Sequence, residues 1–168
     1  MDGSHLNIHV IPQMERGDWR DRTHRRHTEG AKRTRVVRRF WSEFDRANWD
    51  ALRRFFTDDG YVDWVCTRER FTVGEFIEVM KAYPGENRLV TLQRLETAGN
   101  RIVTATEMRQ PRTGRLHHAV TFFTFTADRI HSIVEYRTDG QDIPPWRKET
   151  GAGVPMPAQQ SLAIRNTQ

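Results

Sequence analysis

The chain has 168 residues, a single cysteine and a net charge of +5. That length makes one domain, with enough interior to form a core without metal or disulfide support. The lone Cys66 excludes an intrachain disulfide and zinc-finger spacing, and it fits a reducing cytoplasm. No run approaches the roughly 18 apolar residues of a membrane span, and the opening MDGSHLNIHVIPQ lacks the apolar stretch of a signal peptide. A cytoplasmic protein with no membrane partner is expected. Residues 1–39 hold ten Lys/Arg against five Asp/Glu, whereas residues 40–168 hold seventeen of each. A nucleic-acid reader carries its basic patch on the folded surface. Here the body is neutral, so nucleic acid is not an expected partner.

Residues 1–33 show no steady apolar period and read as a flexible basic tail, with Met14 as a second candidate start. Val36, Val37, Phe40, Trp41 and Phe44 then recur at helical spacing, which predicts a helix over 34–47. Asn48 is the expected cap of a second short helix, with Trp49, Leu52, Phe55 and Phe56 inward and an end near Gly60. Tyr61 to Val65 reads as a short strand. Thr72 and Glu75 form a capping box for a third helix, with Phe71 and Phe76 as its hydrophobic staple. Phe76, Ile77, Val79 and Met80 are its buried set, and Pro84-Gly85 its stop. Four strand-like runs follow, Arg88–Ala98, Arg101–Gln110, Arg115–Thr126 and Arg129–Thr138, joined by breaks short enough for hairpins. Residues 149–168 read as a second tail. Three helices before an antiparallel meander make an α+β fold, with the helices on one sheet face.

The segments VVRRFWSEFDRANWDALRRFFTDDGYVDW, TRERFTVGEFI and ADRIHSIVEYRTDGQDIPPWR resemble the SnoaL-like, nuclear-transport-factor-2-like family over about residues 34–148. The resemblance implies a cone-shaped α+β barrel: three N-terminal helices packed on a strongly bent, mainly antiparallel sheet, around a pocket for a small apolar molecule. The family includes polyketide cyclases, ketosteroid isomerases, dehydratases, epoxide hydrolases and non-catalytic binding domains, so the fold alone does not choose a function. Ketosteroid isomerases place their base near Asp63, but Trp64 stands at that position here.

The candidate catalytic residues are Asp63, His118, Glu135 and Glu69. A carboxylate facing an apolar cavity has a raised pKa and can shuttle a proton. Asp63 is the first such candidate, its alternative being an ion pair with Arg68 or Arg70. Alternation sends one of His117 and His118 inward. The resemblance favours His118 for acid/base work, and the alternative is a histidine on an exposed sheet face. Glu69 and Glu135 would orient a histidine or bind a substrate hydroxyl, although Glu135 equally suits an arginine partner across the sheet. Asp139 and Glu107 are weaker candidates. Trp41, Tyr61, Trp64, Tyr136 and Trp146 are the expected walls of a substrate pocket.

No phosphate loop, dinucleotide fingerprint or nucleophile elbow is present, and no metal or other cofactor is implied. The expected function is a cofactor-free enzyme acting by acid/base chemistry on a hydrophobic small molecule. It would be of isomerase, cyclase, dehydratase or epoxide hydrolase type, with a polyketide- or steroid-like substrate. The alternative is a non-catalytic small-molecule-binding or dimeric interaction domain of the same fold. A homodimer is expected, because Val120 and Phe122 lie on one alternation of their strand while Ala119, Phe123 and Phe125 lie on the other.

Overall fold

The computed structural model describes residues 18–83 and 89–157. The first helix, α1, spans Asp18–Asp45. It turns Val37, Phe40, Trp41 and Phe44 into the core, one apolar stripe at helical spacing. It starts at Asp18 and not near residue 34, so the second half of the expected tail is helical. Between residue 28 and Arg33 no side chain of this helix is buried, in keeping with the lack of an apolar period over that stretch. Arg33 is itself buried. Its Nε donates to the Ala127 carbonyl and its Nη1 to the Gly99 carbonyl, each at 3.0 Å.

The end of α1 is tightly wound. Asn48 N–H bonds the Glu43 carbonyl at 2.9 Å and Ala47 N–H the Phe44 carbonyl at 3.1 Å, the double closure of a Schellman motif. Ala47 takes the left-handed position, with φ 53°. Asn48 does not cap the next helix with its side chain. Its amide instead donates to Glu43 Oε2 at 2.8 Å.

That next helix, α2, is short (Trp49–Leu52) and runs into a 3-10 turn, Arg53–Phe55. Strand β1 then covers Phe56–Trp64. Phe56 and Gly60 therefore belong to a strand, not to the end of a helix. The register of β1 shifts between Phe56 and Tyr61. A side chain at Gly60 would meet the Thr57 carbonyl oxygen at 3.0 Å, so the bulge needs glycine there. A strand not anticipated from sequence, β2 (Glu69–Thr72), pairs antiparallel with β1.

Helix α3 (Val73–Ala82) carries the capping box foreseen. Thr72 N–H reaches Glu75 Oε2 at 2.8 Å, and Glu75 N–H reaches Thr72 Oγ1 at 3.3 Å. Phe71 and Phe76 both pack edge-on against Trp64. Phe76, Ile77 and Met80 are buried, but Val79 is exposed. The expected stop at Pro84-Gly85 lies outside the described residues, as do residue 88 at the start of the first meander run and the last residues of the expected C-terminal tail.

The meander is β3 (Leu89–Ala98), β4 (Arg101–Arg109), β5 (Leu116–Thr126) and β6 (Arg129–Asp139), followed by α4 (Pro145–Glu149). The sheet order is β2-β1-β6-β5-β4-β3, antiparallel except where β1 runs parallel to β6. The fold is thus α+β, with a curved mixed sheet and helices on its inner face. Among the described residues, no helix is long and apolar enough to cross a membrane.

Register and burial sort the inner face into cross-strand rows. Ile102, Phe123, Ile133 and Val62 make an apolar row; Thr104, Thr121, Glu135 and Trp64 make the next. Thr106, Ala119 and Arg137 follow, and then Met108, His117 and Asp139. Polarity rises along the strands toward the end that carries His117 and Asp139. Phe40 anchors the apolar end, with the rings of Trp41, Phe44, Phe55, Phe56 and Phe123 at 5.4–6.2 Å.

Candidate functional site

At the polar end of these rows a cleft of about 410 Å³ opens, lined by Trp64, Cys66, Thr67, Tyr83, His117, Glu135, Arg137, Thr138 and Asp139. Behind it lies a narrow recess of about 10 Å³ whose walls include Phe40, Trp41, Phe44, Val62, Phe76, Met80, Thr121 and Ile133. Trp64, Glu135 and Arg137 line both spaces. They form the throat between a polar mouth and an apolar interior.

Glu135 is buried, with 8% exposure. It faces inward because β6 alternates Ile133, Glu135 and Arg137 onto the face that Phe123 and Thr121 occupy on β5. Its Oε2 accepts from Thr121 Oγ1 at 3.2 Å, and its Oε1 lies 3.2 Å from Arg137 Nε. A buried carboxylate needs such partners. The Arg137 guanidinium in turn stacks 4.1 Å from the centroid of the Trp64 ring. Arg137 also lends its carbonyl to Cys66 Sγ, at 3.2 Å.

At the rim, His117 Nδ1 lies 2.6 Å from Asp139 Oδ1, and Arg115 bonds the other oxygen of the same carboxylate. Arg115, and after it His117, hold the Asp139 carboxyl below its ordinary range. Glu135 and Asp139 are four residues apart on one strand face, about 13 Å at the usual strand rise. Arg137 sits between them. A small molecule lying across Arg137 would therefore reach the buried carboxylate with one end and the His–Asp pair with the other. Tyr83 adds its hydroxyl to the mouth, accepting from Gln110 Nε2 at 3.2 Å. Among the described residues, no group of three or more His, Cys, Asp or Glu is placed to hold a metal ion.

The sequence-derived candidates divide between the two faces of the sheet. Glu135, Trp41 and Trp64 line the interior. Asp63 does not. It points to the outer face, where the Arg70 guanidinium grips both its oxygens, at 2.7 and 2.8 Å. Arg70 holds the Asp63 carboxyl below its ordinary range, the reverse of a base with a raised pKa in an apolar pocket. The ion pair with Arg70 is thus the form this residue takes. Tyr61 shares that outer face, with the same guanidinium 4.1 Å over its ring.

His118 also faces outward, opposite Glu107, while its neighbour His117 turns inward. Glu69 is exposed on the edge strand opposite Trp64. Glu107 lies on the outer face, near Gln93 and Arg109. Tyr136 is exposed on the outer face beside Phe122, and Trp146 stands on α4 with 66% exposure. The inward histidine, the throat arginine and Tyr83 were not among the sequence candidates. A signal for His117 existed: it shares the odd-numbered alternation of Ala119, Phe123 and Phe125, the more apolar side of its strand.

The SnoaL-like domain profile matches residues 37–136. No curated protein matches the chain. Among solved structures, an NTF2-like protein of unknown function from Burkholderia xenovorans superposes with a TM-score of 0.63 at 19% identity, covering 76% of this chain and 98% of its own. A candidate ketosteroid isomerase from Kribbella flavida gives 0.66 at 16% identity, covering 79% and 97%. An LEH-like epoxide hydrolase of M. tuberculosis gives 0.56 at 16% identity, covering 66% and 85%. At these identities the likeness carries the fold and not the activity. The profile spans more than half of the chain, and the element order agrees with it: this chain belongs to the SnoaL-like family, within the nuclear-transport-factor-2-like fold.

Proposed function

We propose that the chain is a cofactor-free enzyme that performs acid/base chemistry on a hydrophobic small molecule of polyketide or steroid type. Isomerisation, cyclisation, dehydration and epoxide opening are the reactions in scope. The observation that carries this reading is Glu135, a buried carboxylate held by Thr121 and Arg137 at the throat between a polar cleft and an apolar recess. A catalytic base has to be oriented before substrate arrives, and Thr121 and Arg137 do that. The His117–Asp139 pair supplies a second proton-exchanging group at the rim. The carboxylate on Nδ1 fixes the ring, and imidazole exchanges protons near neutral pH. In this reading Glu135 takes a proton from a carbon beside a carbonyl, or from an attacking water, and His117 serves the other end of the molecule. Asp63 and His118 face the outer side and Glu69 stands exposed on the edge strand, and none of them holds a role in it. The exposed thiol of Cys66 fits a reducing cytoplasm.

The test compares wild type with Glu135→Gln on polycyclic ketones, sterols, terpene epoxides and aromatic polyketides, by thermal shift and by chromatography with mass spectrometry. Wild type should convert at least one compound. The variant should lose about 100-fold in rate while still being stabilised by the same compound. Equal turnover by both forms would remove Glu135 from the chemistry. Stabilisation of both forms without conversion would favour a binding domain, a role the Glu135–Arg137 bond also suits. We propose further that the outer sheet face pairs with a second copy of the chain, because Val120, Phe122 and Tyr136 stand together there, 41%, 38% and 49% exposed. Val120 and Tyr136 also line a shallow outer groove of about 340 Å³, together with Ala105 and His118.

A further inference from the structure

Trp41 is 1% exposed, yet its indole Nε1 finds no acceptor among the described residues. A buried N–H without a partner is costly, and buried tryptophans ordinarily find one. The neighbours explain the orphan. The rings of Phe40, Phe44 and Phe123 surround the indole with centroids at 5.4, 5.4 and 6.0 Å, all near edge-on, and none carries an oxygen. Trp41 is also among the residues that line the inner recess. Three of the polar side chains that line the recess bond one another, Thr121 donating to Glu135 and Glu135 holding Arg137. The recess itself, about 10 Å³, has room for roughly one oxygen-sized atom.

We infer that the Trp41 indole N–H is the specificity donor of the pocket, binding a carbonyl, ether or hydroxyl oxygen at the leading end of an elongated apolar ligand. The inference rests on the proposed pocket function and adds to it the chemistry of the ligand's inner end. Indole is a donor only. The atom it binds must therefore be an acceptor, which selects oxygenated molecules over hydrocarbons and rejects an ammonium group. Such a ligand would pass Trp64, Glu135 and Arg137 to reach the recess, so its oxygen arrives on the far side of the buried carboxylate from the mouth.

The experiment uses the full chain with α-tetralone and tetralin, which share a ring skeleton and differ in one carbonyl. Binding is measured by titration for wild type and Trp41→Phe. The N–H signals of the five tryptophans are followed in nitrogen-15-labelled wild type, and the signal missing from the variant identifies Trp41. The expected result is that Trp41→Phe weakens α-tetralone about tenfold, the value of one hydrogen bond, and leaves tetralin within about twofold. In wild type, α-tetralone moves the Trp41 signal downfield and tetralin does not. Should the variant fold poorly, phenylalanine substitution of the other four tryptophans one at a time assigns the Trp41 signal by elimination, and the wild-type spectra then decide. Binding of both probes with the Trp41 signal unmoved, or an equal loss for both in the variant, overturns the assignment of Trp41 and leaves the pocket standing; a resident water or an aromatic face is then the partner of the N–H. No saturable binding by either probe overturns the donor role and counts against the pocket as well.

Discussion

Asp63 and Glu135 lie on neighbouring strands but on opposite faces of the sheet, and their surroundings differ accordingly. Asp63 is held in a two-point grip by an exposed arginine, whereas Glu135 is buried beside one. The grip lowers the Asp63 pKa in the folded state. Its stabilisation is therefore present above the unfolded value, near pH 4, and is lost as pH falls through the folded one. Asp63→Asn should cost a few tenths to about 1 kcal/mol at pH 7, the range of an exposed ion pair. In urea melts at several pH values that difference should shrink steadily below about pH 4. A gap that persisted in acid would assign the cost to something other than this carboxylate's charge. Sequence alternation correctly divided β1 into Tyr61–Asp63 and Val62–Trp64, but it does not say which set faces in. The Val62–Trp64 set wins because it is the more apolar, and the same logic on β5 selects His117 over His118. Glu135 was singled out through the family resemblance, and its inward place follows from standing between Ile133 and Arg137 on the inner alternation of β6. Arg137 and Tyr83 were not, since their importance comes from a throat formed by segments distant in sequence.

Among the elements, the meander was the most legible part. Each break held a glycine or a short polar turn, and the observed strands begin or end within a residue or so of the expected limits. The α2–β1 junction was the least. Phe55 and Phe56 follow Leu52 at helical spacing, and Asp58-Asp59-Gly60 looks like a helix stop, whereas the chain uses that glycine for a strand bulge. Short β2 carries too few residues for a period and owes its state to pairing with β1. The end of α1 offers a direct experiment. Ala47 occupies the left-handed position of the Schellman turn with φ 53°, where an alanine side chain crowds the carbonyl that follows it. Ala47→Gly should raise unfolding stability by about 1 kcal/mol, less the extra freedom glycine gains in the unfolded chain. An unchanged or lower urea midpoint would show that the turn does not strain this residue.

For the whole molecule, the two sides of the sheet pose different problems. The inner side is covered by helices and graded from apolar to polar. The outer side leaves Val120, Phe122 and Tyr136 in water, and Phe122 meets Tyr136 ring to edge at 6.1 Å. The dimer proposed on that face is checked by sedimentation at micromolar concentration, with wild type as the dimer. Phe122→Glu should run as a monomer with an unchanged circular dichroism spectrum, because the residue points away from the core. A wild-type monomer would end the proposal. The clasp formed by Arg33 bears on how the molecule comes apart. It ties α1 to carbonyls 66 and 94 residues further along, at the end of the strands opposite His117 and Asp139. Contacts over such separations close large loops and form after the hairpins that present them. A late contact governs the rate of unfolding more than the rate of folding. The clasp thus holds the end of the sheet far from the cleft, and residues at the mouth can vary without touching it.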